Sequence, residues 1–261
     1  MINENLQPIS ENHSISRVVA SIVAPQKFLK PEKLFNKIKQ ADEFNSYQKK
    51  GLLTTRTLNL KENEVGVSNE DITGFVFEKY HQGDIKNIFR VENKSENQCY
   101  ISFESKSYEN WNKFKELINA NFKNFSRLNG FYAKASILNY KDEFIWNGND
   151  NLPVNEIFNI ESEILNKKFL LSKNGTLLLM SQNTTEKPYP SEERTEISFN
   201  NDVKRIVIDH QYANSFNEIK SSQELCVDSK ISDLFEKAHL NNKLMLKDIL
   251  TSNTQDIINL K

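Results

Sequence analysis

The sequence predicts an α+β protein built from two tandem β-α-β4-α units, with an antiparallel sheet and helices packed on one face. Three observations carry that prediction. The β-branched run ISRVVASIVAP, Ile15 to Pro25, has the composition of a buried strand. The stretch SYENWNKFKELINANFKNF sets Trp111, Phe114, Ile118, Phe122 and Phe125 at helical spacing, one apolar stripe on a polar helix. Finally, the order strand, helix, four strands, long helix can be read twice along the 261 residues. Residues 15–128 are then a first unit, residues 129–261 a second packed against it, and residues 1–14 a polar N-terminal tail.

Each element has a local reason. After the first strand, PEKLFNKIKQ is a helix: Pro31 suits a first turn, and Leu34, Phe35 and Ile38 share one face. LLTTRTLNL, Leu52 to Leu60, and ITGFVFEKY, Ile72 to Tyr80, alternate as strands do, and KNIFRVEN and QCYISFES form a further pair joined by NKSEN. Ser107 is the expected cap of the long helix. The second unit opens with a strand over Gly130 to Phe144 and a short helix at VNEIF. KKFLLSK and GTLLLMSQ read as strands flanking Lys173-Asn174-Gly175, whose Asn-Gly signals a hairpin. RTEISF and VKRIVIDHQY make another antiparallel pair. A helix from Asp228 towards Lys247 presents Ile231, Leu234, Phe235 and Ala238 on one face, and Ser252 or Thr254 caps a last turn over Gln255 to Leu260.

Composition narrows the function classes. With 38% hydrophobic and 26% charged residues, the chain can fill a core and is neither disordered nor fibrous. Heavy use of Asn and Lys is typical of AT-rich, bacterial coding. A net charge of -1 gives no global field for nucleic acid or acidic membranes. Cys99 and Cys226 lie far apart with no CxxC spacing, the pattern of reduced intracellular thiols. The opening MINENLQPISENHS lacks the apolar stretch of a signal peptide, and no run reaches the length of a membrane span, so a cytoplasmic location is expected. There is no Gly-rich phosphate loop, GxSxG, HExxH or paired CxxC, which argues against the nucleotide hydrolases, serine hydrolases and zinc proteases that those motifs mark. No cofactor and no metal are expected.

Few residues carry chemistry. In RIVIDHQY, Asp209 stands beside His210, but neighbours on a strand face opposite ways, so His210 goes with Ile206 and Ile208 and Asp209 with Val207. The two cannot act as a pair. His210 is expected to be partly exposed at a strand end, and Asp209 to hydrogen-bond a loop or helix start. A two-His arrangement of His210 with His239, from LFEKAHLNNK, is weighed against two ordinary hydrogen-bonded histidines. Lys30, Lys33 and Lys37 lie at helical spacing and could meet phosphates or an acidic partner, although a solvated helix face accounts for them. Glu104 and Lys106, in FESK, with Asp84 in HQGD, have the residue types of a metal-dependent nuclease, in which two carboxylates hold one Mg²⁺ and a lysine attends the water. WNGNDN, Trp146 to Asn151, is oxygen-rich but lacks the spacing and closing Glu of a calcium loop.

The β-α-β4-α order resembles the unit of TATA-binding-protein-like folds, which implies a curved antiparallel sheet with a solvent-facing docking surface. Several segments also resemble an uncharacterised, sporadically distributed bacterial family of similar length. They are VVASIVAP followed by PEKLFNKI, the strand GFVFEKY, the helix opening ENWNKF, the strand SILNY with Asn139, and IVIDHQY followed by LFEKAHLNNKLMLKDILT. Where this chain reads KASILNY the family strand carries an Arg, so no role passes to that position. Some members lie near mobile or phage-defence genes. The resemblance implies a defence-linked accessory role, and the expectation for this chain is a non-enzymatic interaction protein, an accessory or neutralising part of a bacterial defence or toxin system. Its expected partner is a protein, with self-association and nucleic-acid binding by the curved sheet as further options, and the nuclease of Asp84, Glu104 and Lys106 as the enzymatic alternative.

Overall fold

The computed structural model describes residues 2–10, 13–61, 64–183, 190–226 and 230–260. In chain order the elements are α1 (Ile2–Asn5), β1 (Leu6–Pro8), β2 (Ile15–Ala24), α2 (Pro31–Lys39), a 3-10 turn at Asp42–Phe44, β3 (Lys49–Lys61), β4 (Glu64–His81), β5 (Asp84–Ser95), β6 (Gln98–Ser105), α3 (Trp111–Leu128), β7 (Tyr132–Trp146), α4 (Val154–Ile157), α5 (Lys167–Leu170), β8 (Asn174–Asn183), β9 (Ser191–Asn200), β10 (Arg205–Ser221), α6 (Ser222–Cys226), α7 (Lys230–Asp233), α8 (Glu236–Ile249) and α9 (Ser252–Ile257). The α+β class holds: helices accompany an antiparallel sheet. The first run, β2-α2-β3-β4-β5-β6-α3, has the expected order, whereas three strands, not four, follow the short helices of the second.

The chain packs as two compact units. One comprises residues 1–19, 137–215 and 233–261, the other residues 20–136 and 216–232. Strands β2, β7 and β10 therefore each contribute residues to both.

In the unit of residues 20–136 and 216–232 the strand order is β3-β4-β5-β6-β2. The inward positions are aromatic or aliphatic: Phe75 and Phe77 on β4, Phe89 and Val91 on β5, Ile101 and Phe103 on β6, all buried. Phe35 and Ile38 of α2 and the full stripe of α3 close over them, with Phe35 edge-on to Phe77 and Phe89 tilted against Phe125. Two glycines matter here. Gln82 and Gly83 take positive φ (52° and 91°) in the two-residue turn joining β4 to β5; the glycine does so without steric cost, whereas Gln82 is held there by the turn. Gly74 lies so close to β5 that a Cβ would sit 2.0 Å from the Val91 carbonyl oxygen. The cap of α3 is Asn110, not Ser107: the Asn110 side chain accepts from the Lys113 N–H at 3.0 Å.

In the other unit the order is β2-β7-β10-β9-β8, with β1 paired to β7. Ile197, Phe199, Ile206 and Ile208 point inwards and meet Ile157, Phe158, Phe169, Leu246 and Ile249 from α4, α5, α8 and the adjoining loop. KKFLLSK is a helical turn, not the strand expected. Asn166 caps it by accepting from the Phe169 N–H at 2.8 Å, and the turn delivers Phe169 and Leu170 to the core. Asn174-Gly175 accordingly opens β8 without making a hairpin. The last long helix is interrupted. Its expected start at Asp228 lies outside the described residues, a turn at Leu234 and Phe235 separates α7 from α8, and Phe235 is buried there. Thr251, not Ser252 or Thr254, caps α9 by accepting from the Thr254 N–H.

Candidate functional site

Strict alternation along β10 decides the placement of Asp209 and His210. Ile206, Ile208, His210 and Tyr212 are buried while Val207, Asp209 and Gln211 are half-buried, so the two polar neighbours do lie on opposite faces. They belong to two separate clusters.

On the core side, His210 is 1% exposed, which corrects the expectation of a partly exposed strand-end histidine. The strand does not end there; β10 runs on to Ser221. His210 Nε2 lies 2.7 Å from Glu193 Oε1 on β9, diagonal to its register partner Thr195. Near it on β7 sits Asp142, fully buried, whose Oδ1 accepts from the Ser14 hydroxyl at 2.6 Å and whose Oδ2 accepts no hydrogen bond. Burial pushes the Asp142 carboxyl up to about 6; the Ser14 hydroxyl and His210 pull it down, and Asp209 adds a small upward push. The Nδ1 of His239 is 2.9 Å from the Tyr140 hydroxyl on β7.

The solvent side holds the second cluster. Arg17 of β2 donates from Nη2 to Asn139 Oδ1 at 3.0 Å and to Asp209 Oδ2 at 3.3 Å. Asn139 Nδ2 donates to Asp209 Oδ1 at 2.7 Å, closing a ring across three strands. The partners of Asp209 are thus neighbouring strands and not the loop or helix start expected. Four residues further along β7 from Asn139, Glu143 is 4% exposed at its side chain and is held by three donors: the Ser16 hydroxyl at 2.8 Å, Lys141 Nζ at 2.8 Å and Arg205 Nη2. Burial lowers the Lys141 pKa from its usual value, and the charges of Arg205 and Arg17 lower it further. Next to Arg205, a shallow groove of about 370 Å³ runs over Thr176, Ser198 and Val207 on adjacent strands. Arg17 pairs with Asp209, and Lys141 and Arg205 pair with Glu143, so three cations and two carboxylates lie in two ion-paired groups on this side of the sheet; the buried Nε of Arg17 has no hydrogen-bond partner.

The remaining candidates lie elsewhere. Lys30, Lys33 and Lys37 are exposed around α2, and Lys37 Nζ donates to the Leu128 carbonyl. Glu104 faces Ile88 across the β5–β6 ladder, and Asp84 is four residues further along β5, about 13 Å away at strand spacing. The structure does not bring the two carboxylates to one ion; Lys106 Nζ sits 4.0 Å from Glu104 Oε1. Among the described residues no three His, Cys, Asp or Glu side chains converge as metal ligands would.

Asp142, Arg17 and Glu143 escaped sequence reasoning. The signal for Asp142 was present: in LNYKDEFIW it occupies the same alternate positions as Leu138, Tyr140 and Phe144, all buried. Arg17 gave no such signal, because its partners lie 122 and 192 residues away. No protein-family model matches the chain, and no curated protein is similar to it.

Proposed function

We propose that the protein is a non-enzymatic interaction protein, an accessory or neutralising component of a bacterial defence or toxin system, binding a protein partner through the solvent-facing side of the β2-β7-β10-β9-β8 sheet. The observation that carries this reading is the Arg17–Asn139–Asp209 ring with the Lys141–Glu143–Arg205 cluster beside it. Side chains already fixed by one another present charge without further ordering cost, which favours specificity in recognition. The element orders β2-α2-β3-β4-β5-β6-α3 and β7-α4-α5-β8-β9-β10-α6-α7-α8 support a tandem arrangement like that of TATA-binding-protein-like folds, and the resemblance to the bacterial family supports the defence setting. A cytoplasmic location belongs to the same reading, and no helix among the described residues is long and apolar enough to cross a membrane.

The test is co-purification from the native host at low and moderate salt, with the wild-type chain and with Arg17→Ala. A stoichiometric protein partner that is weakened by the substitution is the expected result. Failure to recover any partner overturns the reading, and recovery of nucleic acid with steep salt dependence replaces it with binding by the curved sheet.

A further inference from the structure

We infer that β8 is a self-association edge, pairing antiparallel with β8 of a second copy of this chain about a two-fold axis perpendicular to the sheet. Such pairing uses the backbone edge of β8, whereas the binding proposed above uses the face of the same sheet around Arg17, Asp209 and Glu143. Among the described residues β8 ends its strand order and is hydrogen-bonded to no strand but β9. An edge strand offers a row of N–H and C=O groups to any extended chain, and proteins blunt such edges with charges, proline, bulges or short length. β8 has none of these. Its sequence, NGTLLLMSQN, carries no charge and no proline, and its ten residues follow β9 in unbroken register. The other terminal strand is the contrast: β3 carries Lys49, Lys50, Arg56 and Lys61 and has two register shifts against β4.

The side chains point to a second copy as the occupant. Leu178 is 51% and Met180 76% exposed on one face, and Leu177 and Leu179 are half-buried on the other. A two-fold axis perpendicular to the sheet keeps each face continuous, so only residues of equal parity oppose one another. With the axis at Leu178, that residue meets its own counterpart, Leu177 meets Leu179 and Thr176 meets Met180. With the axis one residue on, Leu179 meets itself and Leu178 meets Met180. Both registers set apolar against apolar on both faces. A strand carrying even one central charge would oppose that charge to itself at close range, and β8 carries none. The net charge of -1 adds no appreciable repulsion between copies.

Sedimentation of the full chain is the test. The wild type should show a mass twice 30.4 kDa. Leu178→Lys should give the monomer with an unchanged far-ultraviolet circular dichroism spectrum, and Leu240→Lys, an equally exposed position on α8, should leave the dimer intact. If Leu178→Lys fails to fold, Met180→Lys takes its place. In a Cys226→Ser background, which keeps only the buried Cys99, Leu178→Cys or Leu179→Cys should form a disulfide-linked dimer on oxidation, since opposed Cα atoms in an antiparallel pair lie about 4.5–5.5 Å apart, within disulfide reach. A wild-type monomer at high micromolar concentration overturns the inference and leaves the edge to a foreign strand. A dimer that survives the lysine variants, or that links through neither cysteine, overturns it equally.

Discussion

The two compact units bury different kinds of side chain. Among the described residues, every buried polar side chain in residues 20–136 and 216–232 is a serine: Ser21, Ser105, Ser136, Ser222 and Ser232. The other unit buries Asp142, Glu143, His210, His239, Asn201, Asn214 and Asn242. The first is held by aromatic packing, in which Phe44 meets both Phe77 and Phe89, and Phe89 meets both Phe122 and Phe125. The second includes ionisable groups whose burial costs stability unless each is paired. Glu143 is fully paired and Asp142 is not. The solvent-facing charge network lies in the same unit, so ionisable groups held against the general preference for apolar interiors gather where the proposed binding face is.

The largest expected effect breaks the aromatic side of this comparison. Phe89→Ala should lower stability by about 3–5 kcal/mol in urea unfolding, because the site is fully buried and ringed by other aromatics that cannot collapse into the space. A loss below about 1 kcal/mol would mean that the aromatic core is loosely packed.

A smaller, pH-dependent effect sharpens the polar side. The Asp142 carboxyl rises from 3.8 to about 6 on folding, so the folded state favours its protonated form. Its stabilising contribution is complete below pH 3.8 and is lost as pH rises through about 6. At neutral pH the buried carboxylate then costs about 3 kcal/mol relative to its protonated form. Asp142→Asn should remove this dependence: between pH 4 and pH 6.5 the wild type should lose stability relative to the variant, read from paired urea titrations. Parallel curves would show that Asp142 titrates normally.

Asp209→Ala should have the smallest effect, about 1 kcal/mol. Its side chain is 34% exposed, and the Arg17 side chain, at 37%, can turn to water when its partner is removed. A thermal melt unchanged within error while partner capture falls would place Asp209 in recognition and not in the fold. A loss of several kcal/mol would make the Arg17–Asn139–Asp209 ring structural, and the binding face would lose its main support.

Periodicity made much of the fold legible. The α3 stripe and the α2 face are buried as their spacing requires, and the opposite placement of Asp209 and His210 followed from strand geometry alone. KKFLLSK misled because a short apolar run fits a strand and a helical turn equally well, and the capping Asn166 with the pocket for Phe169 chose the turn. His210 was misplaced because VKRIVIDHQY gives no sign that the strand continues through ANSFNEIKS.

Local chemistry by itself determined which residues are helical or extended and which way each side chain faces, because backbone sterics and the periods of strand and helix act over a few residues. Only the tertiary structure decided what each face meets. It joined Arg17, Asn139 and Asp209, buried Asp142 near His210, set His239 against Tyr140, and kept Asp84 from Glu104. The reason is physical: desolvation and charge pairing depend on neighbours brought from 70 to 192 residues away, and no local pattern records which strand will lie alongside.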